Sequence, residues 1–280
     1  MKFSKVFILP VMLALFAIPV VAHANAAGNA THCSLATLKG SFGLVEEGTI
    51  VVQSPPLLFV TSGIIFYDGH GKLSGSETTN LNGAPMPGTF TGTYTVNSDC
   101  TYSDSVVVSP SGALLNHQGT IIGDGLSREL HVIGTDLGVV SFATLKKTPP
   151  GGCSLETLKG KYVKFAHTTV VVAPPGFPPT PFPTVDLVIV TYDGAGNAAG
   201  TFTVNFDGFV FSGTGTSTYT MNRDCSYSEE TTLADGSVHH ATGTVTGEGT
   251  RQEVQFISPD NGQVSLGTMK KMVRRLTDED

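Results

Sequence analysis

The chain contains one unit twice, and this duplication restricts the possible folds more than any other feature of the sequence. An eight-residue block beginning at Cys33 recurs at Cys153 with seven identical residues. The offset between matching positions is 120 at that block, 125 in the middle of the unit and 124 at its end. Three further blocks recur in the same order: Tyr67–Gly71 at Tyr192–Gly196, Thr93–Cys100 at Thr218–Cys225, and Gly119–Gly125 at Gly243–Gly249. We therefore predict two copies of one domain in tandem.

Each copy is expected to fold as a series of short β-strands. Phe90, Tyr94 and Val96 alternate with threonines, which is the period-two pattern of a half-buried strand. In the first copy the predicted strands are 41–53, 57–67, 72–80, 89–97, 101–108, 113–122, 127–134 and 138–146. The links between them are short and rich in turn residues, so neighbouring strands should be antiparallel, because a parallel crossover needs a dozen or more residues.

Eight antiparallel strands with alternating faces can be buried in two ways. We favour an all-β fold of two tandem eight-stranded antiparallel up-and-down barrels, and the alternative is a pair of β-sandwiches. The interior of an eight-stranded barrel is either filled by side chains or holds one small ligand.

Composition supports a folded chain and excludes one class of partner. Hydrophobic residues make up 40% of the sequence, enough to bury a core, and charged residues make up 14%. The formal net charge is −7 and no basic patch is present, so we expect no nucleic-acid partner.

The N-terminus has the pattern of a secretory signal peptide. Lys2 and Lys5 precede an uncharged apolar run from residue 6 to residue 21, and small residues suited to cleavage follow. We expect a secreted or periplasmic protein with no membrane span in the mature chain, because no second apolar run has spanning length. The expected segments are a signal peptide (1–26), a first barrel repeat (33–147), a linker (148–152), a second barrel repeat (153–272) and a charged tail (273–280).

The four cysteines occupy matching positions in the two copies. In a secreted chain, paired cysteines indicate disulfides. Of the three possible pairings, the duplication favours Cys33 with Cys100 and Cys153 with Cys225, because each copy should close its own bond. A metal site is not expected, since no CxxC and no paired histidine lies near these cysteines.

No catalytic residue can be assigned from a motif. The sequence lacks a Gly-x-Ser-x-Gly elbow, a His-Glu-x-x-His helix and a phosphate-binding loop, and no cofactor is predicted. The acids shared by the two copies are Asp99 with Asp224 and Glu129 with Glu253. An aspartate directly before a cysteine in a tight turn is expected to bond its own backbone. Asp68, followed by Gly-His-Gly, is likewise expected in a hairpin turn and not at a calcium ion.

The repeated motifs resemble those of a group of uncharacterised secreted bacterial proteins. The shared features are the runs Thr-Leu-Lys-Gly, Tyr-Asp-Gly-x-Gly and Thr-Tyr-Thr-x-Asn-x-Asp-Cys, which together cover nearly the whole mature chain twice over. This resemblance implies no activity that can be transferred to particular residues. In architecture, a copy looks like the small barrels of the lipocalin or allene-oxide-cyclase type, which implies an apolar interior.

The function that we expect is the binding or carriage of a small apolar ligand inside one or both barrels. One alternative is a barrel cyclase or isomerase that acts on an apolar substrate with an acid and a tyrosine. The other is a non-catalytic surface interaction module that acts through the Pro-rich loop 173–183. The candidate ligand-binding residues are Phe66, Phe90, Tyr94, Phe202 and Tyr219.

Overall fold

The computed structural model describes residues 32–172 and 181–272; the expected signal peptide, most of the Pro-rich loop and the charged tail lie outside the described residues. The described chain forms two closed antiparallel barrels of eight strands each. In each barrel the strands follow one another along the chain, and the last strand pairs with the first. The prediction of two all-β up-and-down barrels is confirmed, and the β-sandwich alternative is wrong.

The strands run from Gly40 to Lys147 in barrel 1 and from Gly160 to Lys271 in barrel 2. Those of barrel 1 are β1 (Gly40–Ile50), β2 (Leu57–Tyr67), β3 (Lys72–Leu81), β4 (Ala84–Val96), β5 (Thr101–Ser109), β6 (Leu114–Ile122), β7 (Glu129–Gly134) and β8 (Val139–Lys147). Those of barrel 2 are β9 (Gly160–Val170), β10 (Phe182–Tyr192), β11 (Asn197–Phe206), β12 (Phe209–Met221), β13 (Ser226–Leu233), β14 (Val238–Thr246), β15 (Glu253–Ser258) and β16 (Gln263–Lys271). Short 3₁₀ turns lie at Leu35–Leu38, Gly125–Ser127, Leu155–Leu158 and Gly249–Arg251.

Alternation along each strand decides which side chains point into the barrel. In β4, Phe90 and Tyr94 are buried in the core of barrel 1 and the threonines between them are exposed, as the sequence pattern predicts. In β2, Ile65 and Tyr67 are buried in the same core, whereas Phe66 is 48% exposed on the outer surface. The expected inward position of Phe66 is therefore wrong, because its two neighbours on the strand take the inward positions.

One end of each barrel is closed by a 3₁₀ turn and by tyrosines. Leu38, in the first turn, is fully buried in the core of barrel 1. The Tyr94 hydroxyl donates a hydrogen bond to the Leu35 carbonyl oxygen at 3.0 Å and so fastens the turn to the barrel. Tyr219 makes the same bond to Leu155 in barrel 2, at 3.1 Å. We call this the closed end of each barrel.

The disulfides also lie at the closed ends. They join Cys33 to Cys100 and Cys153 to Cys225, which is the pairing favoured by the duplication. Each bond links a cysteine two residues before a 3₁₀ turn to the turn between the fourth and fifth strands, across sequence separations of 67 and 72 residues. Closing loops of this length should stabilise each barrel by roughly 4 kcal/mol on the chain-entropy model.

The two barrels pack against each other through a buried apolar cluster. Val45 and Val60, on the outer surface of β1 and β2, meet Ile257 and Val264, on the outer surface of β15 and β16. All four side chains are at most 9% exposed. The outer surface of a barrel strand would normally face water, so this burial marks a built contact between the barrels. Among the described residues, no helix is long and apolar enough to cross a membrane.

Candidate functional site

A buried ion pair lies inside barrel 2, near its closed end. Lys164 on β9 and Glu229 on β13 point inward, and the Lys164 Nζ atom lies 3.0 Å from the Glu229 Oε2 atom. The Tyr192 hydroxyl donates a hydrogen bond to the same oxygen at 3.2 Å, and the Tyr227 hydroxyl donates another. Glu229 is only 5% exposed, so these groups replace the water that a carboxylate requires.

The surroundings of Glu229 hold it in its charged form. Burial alone would raise the pKa of its carboxyl group, but the positive charge of Lys164 and the hydrogen bonds from Tyr227 and Lys164 outweigh burial and lower the pKa below its ordinary value. Burial raises the pKa of Tyr192 and Tyr227 well above the ordinary value, and the Glu229 charge raises them further. The cluster is therefore a charged pair flanked by two neutral hydroxyl groups at neutral pH.

A cavity of about 280 Å³ extends from this ion pair away from the closed end of barrel 2. Its apolar wall includes Val188, Phe202, Val204, Phe211 and Phe256. Its polar wall includes Lys164, Asp186, Glu229, Thr231 and His239. The volume is close to the lower limit of small-molecule pockets, which is roughly 300 Å³.

Asp186 and His239 bring titratable groups to the cavity wall. Burial raises the pKa of Asp186, and the nearby His239 and Lys164 oppose this effect without cancelling it. Asp186 thus gains a proton more readily than an exposed aspartate does. The cavity wall therefore presents two acidic side chains, a lysine and a histidine to a bound molecule.

Barrel 1 contains a related cluster at the equivalent depth. The Tyr67 and Tyr102 hydroxyl oxygens are 3.0 Å apart, and the Tyr102 hydroxyl donates to the Asp104 Oδ2 atom at 2.5 Å. The Asp104 Oδ1 atom lies 2.7 Å from the His117 Nδ1 atom. Burial acts to lower the pKa of His117, but the hydrogen bond and charge of Asp104, together with Glu46, outweigh it and raise the pKa.

Two further acids point into barrel 1. Glu46 on β1 and Glu77 on β3 have raised pKa values, in both cases mainly because of burial. The pKa of Glu77 rises to about 7, since the charge of Glu46 adds to the effect of burial and His117 only partly offsets it. Glu77 therefore titrates near neutral pH.

Both barrels have a buried acid at the same position, but the basic residue that pairs with it differs. Asp104 and Glu229 occupy matching positions, two residues after matching tyrosines. In barrel 1 the partner of Asp104 is His117, which lies directly opposite it on the neighbouring strand. In barrel 2 the residue directly opposite Glu229 is Ala241, which carries no charge. Lys164 in β9 takes over that role in barrel 2. The interior charge is thus a feature of both barrels, built with different residues.

The candidate residues from the sequence are placed as follows. Phe202 lines the cavity of barrel 2. Phe90 is buried in the core of barrel 1, Tyr94 and Tyr219 are buried at the closed ends, and Phe66 is on the outer surface. Tyr94 and Tyr219 therefore support the 3₁₀ turns. Of the five residues, Phe202 alone lines the cavity of barrel 2, and its role in ligand binding stays a prediction.

The acids that the sequence singled out do not line the cavity. Glu129 and Glu253 lie on the outer surface, where both are within 4 Å of Lys146. Asp99 accepts hydrogen bonds from the backbone and side chain of Thr101, and Asp68 accepts from the backbone of the turn that follows it, so the turn interpretation holds for both. Within residues 32–172 and 181–272, no group of three or more metal-ligating side chains is present.

Asp104, His117, Lys164 and Glu229 were missed because no motif marks them. A signal for the two acids was nevertheless present. Tyr102-Ser-Asp104 and Tyr227-Ser-Glu229 place an acid two residues after an aromatic residue in both copies. Residues two apart in a strand share a face, so an inward tyrosine implies an inward acid.

Comparisons with known proteins give structural likenesses at low similarity. A redesigned β-barrel bound to DFHBI is 18% identical, with 40% of this chain and 99% of that chain covered and a TM-score of 0.29. A protein of unknown function from the DUF3598 family of Nostoc punctiforme is 11% identical, with 85% and 98% covered and a TM-score of 0.25. Transferrin-binding protein B from Haemophilus parasuis is 8% identical, with 84% and 76% covered and a TM-score of 0.26. No protein-family model and no curated protein matches the chain.

Proposed function

We propose that barrel 2 binds a small molecule with an apolar body and one polar end. The observation that carries this proposal is the cavity of about 280 Å³, which has phenylalanines along one wall and the Lys164–Glu229 pair at its base. The apolar body would lie between Phe202, Phe211 and Phe256, where its burial is favourable by about 25 cal/mol for each Å² removed from water. The polar end would exchange hydrogen bonds with the charged groups.

The size of the cavity limits the ligand. A cavity of about 280 Å³ lies at the lower limit of small-molecule pockets, so we expect a ligand on the order of ten non-hydrogen atoms. A medium-length alkyl chain or a single substituted ring has this size.

Binding is favoured over catalysis by the state of the acid. A general acid or base works best when its pKa is close to the operating pH. The pKa of Glu229 is lowered, and the pKa values of Tyr192 and Tyr227 are raised well above 10, so these groups are poorly matched to proton transfer at neutral pH. Glu229 beside two tyrosines is therefore better suited to hold a ligand than to act as the acid of a cyclase or isomerase.

The test uses three series of probes with six to ten carbons: alkanols, alkanoates and alkylamines. Isothermal titration calorimetry should show saturable 1:1 binding of at least one series to the mature chain. Ala166→Leu, inside the cavity, should shift the preference to shorter chains, and Phe202→Ala should shift it to longer ones. Ala199→Leu, on the outer surface of β11, is the matched control and should leave the preference unchanged. No binding of any series, or an equal shift with Ala199→Leu, would overturn the proposal.

We also propose that the protein is exported and works in the periplasm or outside the cell. The two disulfides support an oxidising compartment. If residues 1–26 are a signal peptide, the N-terminal sequence of the exported protein will begin after residue 26. An uncleaved protein in the cytoplasmic fraction would contradict this proposal.

A further inference from the structure

The contact between the barrels uses a different surface from each one. We call the outer surface of the first two strands of a barrel face A, and the outer surface of its last three strands face B. Within the chain, face A of barrel 1 (Val45 and Val60) packs against face B of barrel 2 (Ile257 and Val264). Face A of barrel 2 and face B of barrel 1 touch the other barrel at their edges, where His167 lies 3.2 Å from Glu47 and Lys146 lies 2.5 Å from Glu253, and their apolar parts are left over. Because the barrels are copies of each other, these two unused faces correspond to the two halves of the contact that is already formed.

Both unused faces are apolar and exposed among the described residues. On face A of barrel 2, Phe165 stands at the position of Val45, and Val185 stands at the position of Val60. On face B of barrel 1, Ile133, Val140 and Phe142 stand at the positions of Ile257, Val264 and Leu266. These side chains, with Leu187 and Ile189 beside them on face A, are each between 38% and 64% exposed. Exposed apolar patches of this kind typically mark a surface that binds a partner.

A polar anchor of the internal contact is repeated as well. The Asn80 side chain, on β3, donates hydrogen bonds from its Nδ2 atom to the backbone oxygens of Ser258 (3.0 Å) and Asp260 (3.2 Å). The matching residue in barrel 2 is Asn205, which is exposed. The matching carbonyls on barrel 1 are those of Gly134 and Asp136. The chain therefore carries a second copy of this anchor on β11, beside face A of barrel 2, and a second copy of its acceptors at the end of β7 in face B of barrel 1.

The glycine turn beside Asn80 also has a matching copy in the other barrel. The Gly262 N–H donates to the Gly83 carbonyl oxygen at 2.9 Å across the internal contact, and the two backbones are so close that a side chain at Gly83 would meet Gly262 at 2.8 Å. The matching glycines are Gly208 and Gly138. A side chain at Gly208 would meet open space, so this turn has no neighbour within the described chain.

The charges at the edge of the internal contact are already used within one chain. The Lys146 Nζ atom, on β8, lies 2.5 Å from the Glu253 Oε1 atom and 3.6 Å from the Glu129 Oε1 atom. The Lys270 Nζ atom, on β16, lies 3.9 Å from the Glu253 Oε2 atom. These four charges form one cluster at the contact between the barrels, so they do not belong to the unused faces.

We propose that copies of this chain associate head to tail, with face A of barrel 2 in one copy bound to face B of barrel 1 in the next. The occupant is a second copy because its apolar positions, its asparagine anchor and its glycine turn are those of the contact inside the chain. The contact joins two different surfaces, so it is heterologous and generates either a closed ring or an open filament.

One position requires the contact between copies to differ from the contact within a copy. At Gly43, on face A of barrel 1, a Cβ atom would meet the side chains of Thr244 and Thr246 at 2.8 Å. Barrel 2 has Val163 at this position, and barrel 1 has Ile122 in place of Thr246. The barrels of neighbouring copies must therefore be farther apart at this point, where bulkier side chains such as Phe165 in place of Val45 fill the space.

Sedimentation velocity and light scattering of the mature chain, from about 1 μM to about 1 mM, test the proposal. The mass should rise with concentration beyond that of a monomer. Leu187→Glu removes face A of barrel 2, and Phe142→Glu removes face B of barrel 1, so each variant alone should stay monomeric. Mixed in equal amounts, the two variants keep one complementary pair of faces and should form a 1:1 dimer that does not grow further. Val107→Glu, at an equally exposed apolar residue outside both faces, is the control and should associate like the wild type.

Several outcomes would overturn the proposal. They are a monomeric wild-type chain at all concentrations, a single variant that still associates, and a mixture of variants that remains monomeric. Circular dichroism should show that each variant keeps the barrel fold. Ile189→Lys and Val140→Lys test the same two faces at other exposed positions, should a first variant fold poorly.

Discussion

Replacing Lys164 by methionine should leave the buried carboxylate of Glu229 without its cation. The Nζ and Oε2 atoms are 3.0 Å apart, which corresponds to an attraction of about 5.5 kcal/mol at an effective dielectric constant of about 20. Removing one partner of a buried pair usually costs about 3–5 kcal/mol, because the other charge stays buried and unpaired. Methionine keeps most of the apolar stem of lysine, so little of this loss comes from packing. We expect barrel 2 to lose about 3–5 kcal/mol of unfolding free energy at pH 7.

The loss of unfolding free energy should be smaller at low pH than at pH 7. In the wild-type protein the pKa of Glu229 is lowered, so the pair stabilises the fold above the unfolded pKa of about 4.3, and this contribution is lost as the pH falls through the folded pKa. In the variant, burial without Lys164 raises the pKa, so the penalty is present at pH 7 and disappears as the carboxyl group takes up a proton. Both effects bring the two proteins closer in stability at low pH.

Urea denaturation at pH 7 and at pH 4 measures the difference. Lys161→Met removes an exposed lysine three residues earlier on β9 and is the matched control, with an expected change within about 0.5 kcal/mol. A loss below about 1 kcal/mol for Lys164→Met at pH 7, or a loss of the same size at both pH values, would refute the ion-pair reasoning.

Four further results are expected. Glu77→Gln should stabilise barrel 1 above pH 7 but not at pH 4.5. The raised pKa of Glu77 lowers the free energy of unfolding as the pH rises from the unfolded pKa to about 7, and glutamine removes this cost. Equal stability of the variant and the wild type in urea at pH 8 would contradict this. Tyr94→Ala should cost about 3–5 kcal/mol and Thr93→Ala at most about 0.5 kcal/mol, and similar losses in urea would mean that the inward face is misassigned. Chains 27–148 and 151–280, expressed separately under oxidising conditions, should each melt cooperatively. Their melting temperatures should be lower than that of the whole chain, because each half exposes its side of the contact between the barrels. If neither half melts cooperatively, the barrels are not independent domains. Reduction of both disulfides should lower the melting temperature of both barrels, and calorimetry in the presence of dithiothreitol checks this.

The fold was predictable because its signals are local and repeated. Short alternating strands with tight links leave few topologies, and the duplication shows each signal twice. The beginning of β4 was predicted five residues late: the strand starts at Ala84, directly after the two-residue Asn82–Gly83 turn, and not at residue 89. Pro85 and Pro87 both lie within this strand.

The interior of the barrels was much less predictable, because it depends on contacts between distant strands. Phe66 has the residue type of a core position, but a shift of one residue along a strand moves a side chain to the other face. The pairing of Lys164 with Glu229 joins residues 65 positions apart across a closed barrel. No sequence spacing within one strand indicates it. The contact between the barrels is equally long-range, and only the structure shows which surfaces it uses.

The closed end of barrel 2 has a kinetic consequence for the proposed ligand. Tyr192 and Tyr227 are buried between the cavity and the 3₁₀ turn, so a molecule must leave by the end through which it entered. Entry and exit then cross a single barrier in opposite directions. A substitution at the mouth, for example at Leu233 at the end of β13, should therefore change the association and dissociation rate constants by the same factor and leave the dissociation constant unaltered. A substitution at Glu229, at the base, should instead act mainly on the dissociation rate, so the two ends of one cavity separately determine how fast and how long a ligand is held.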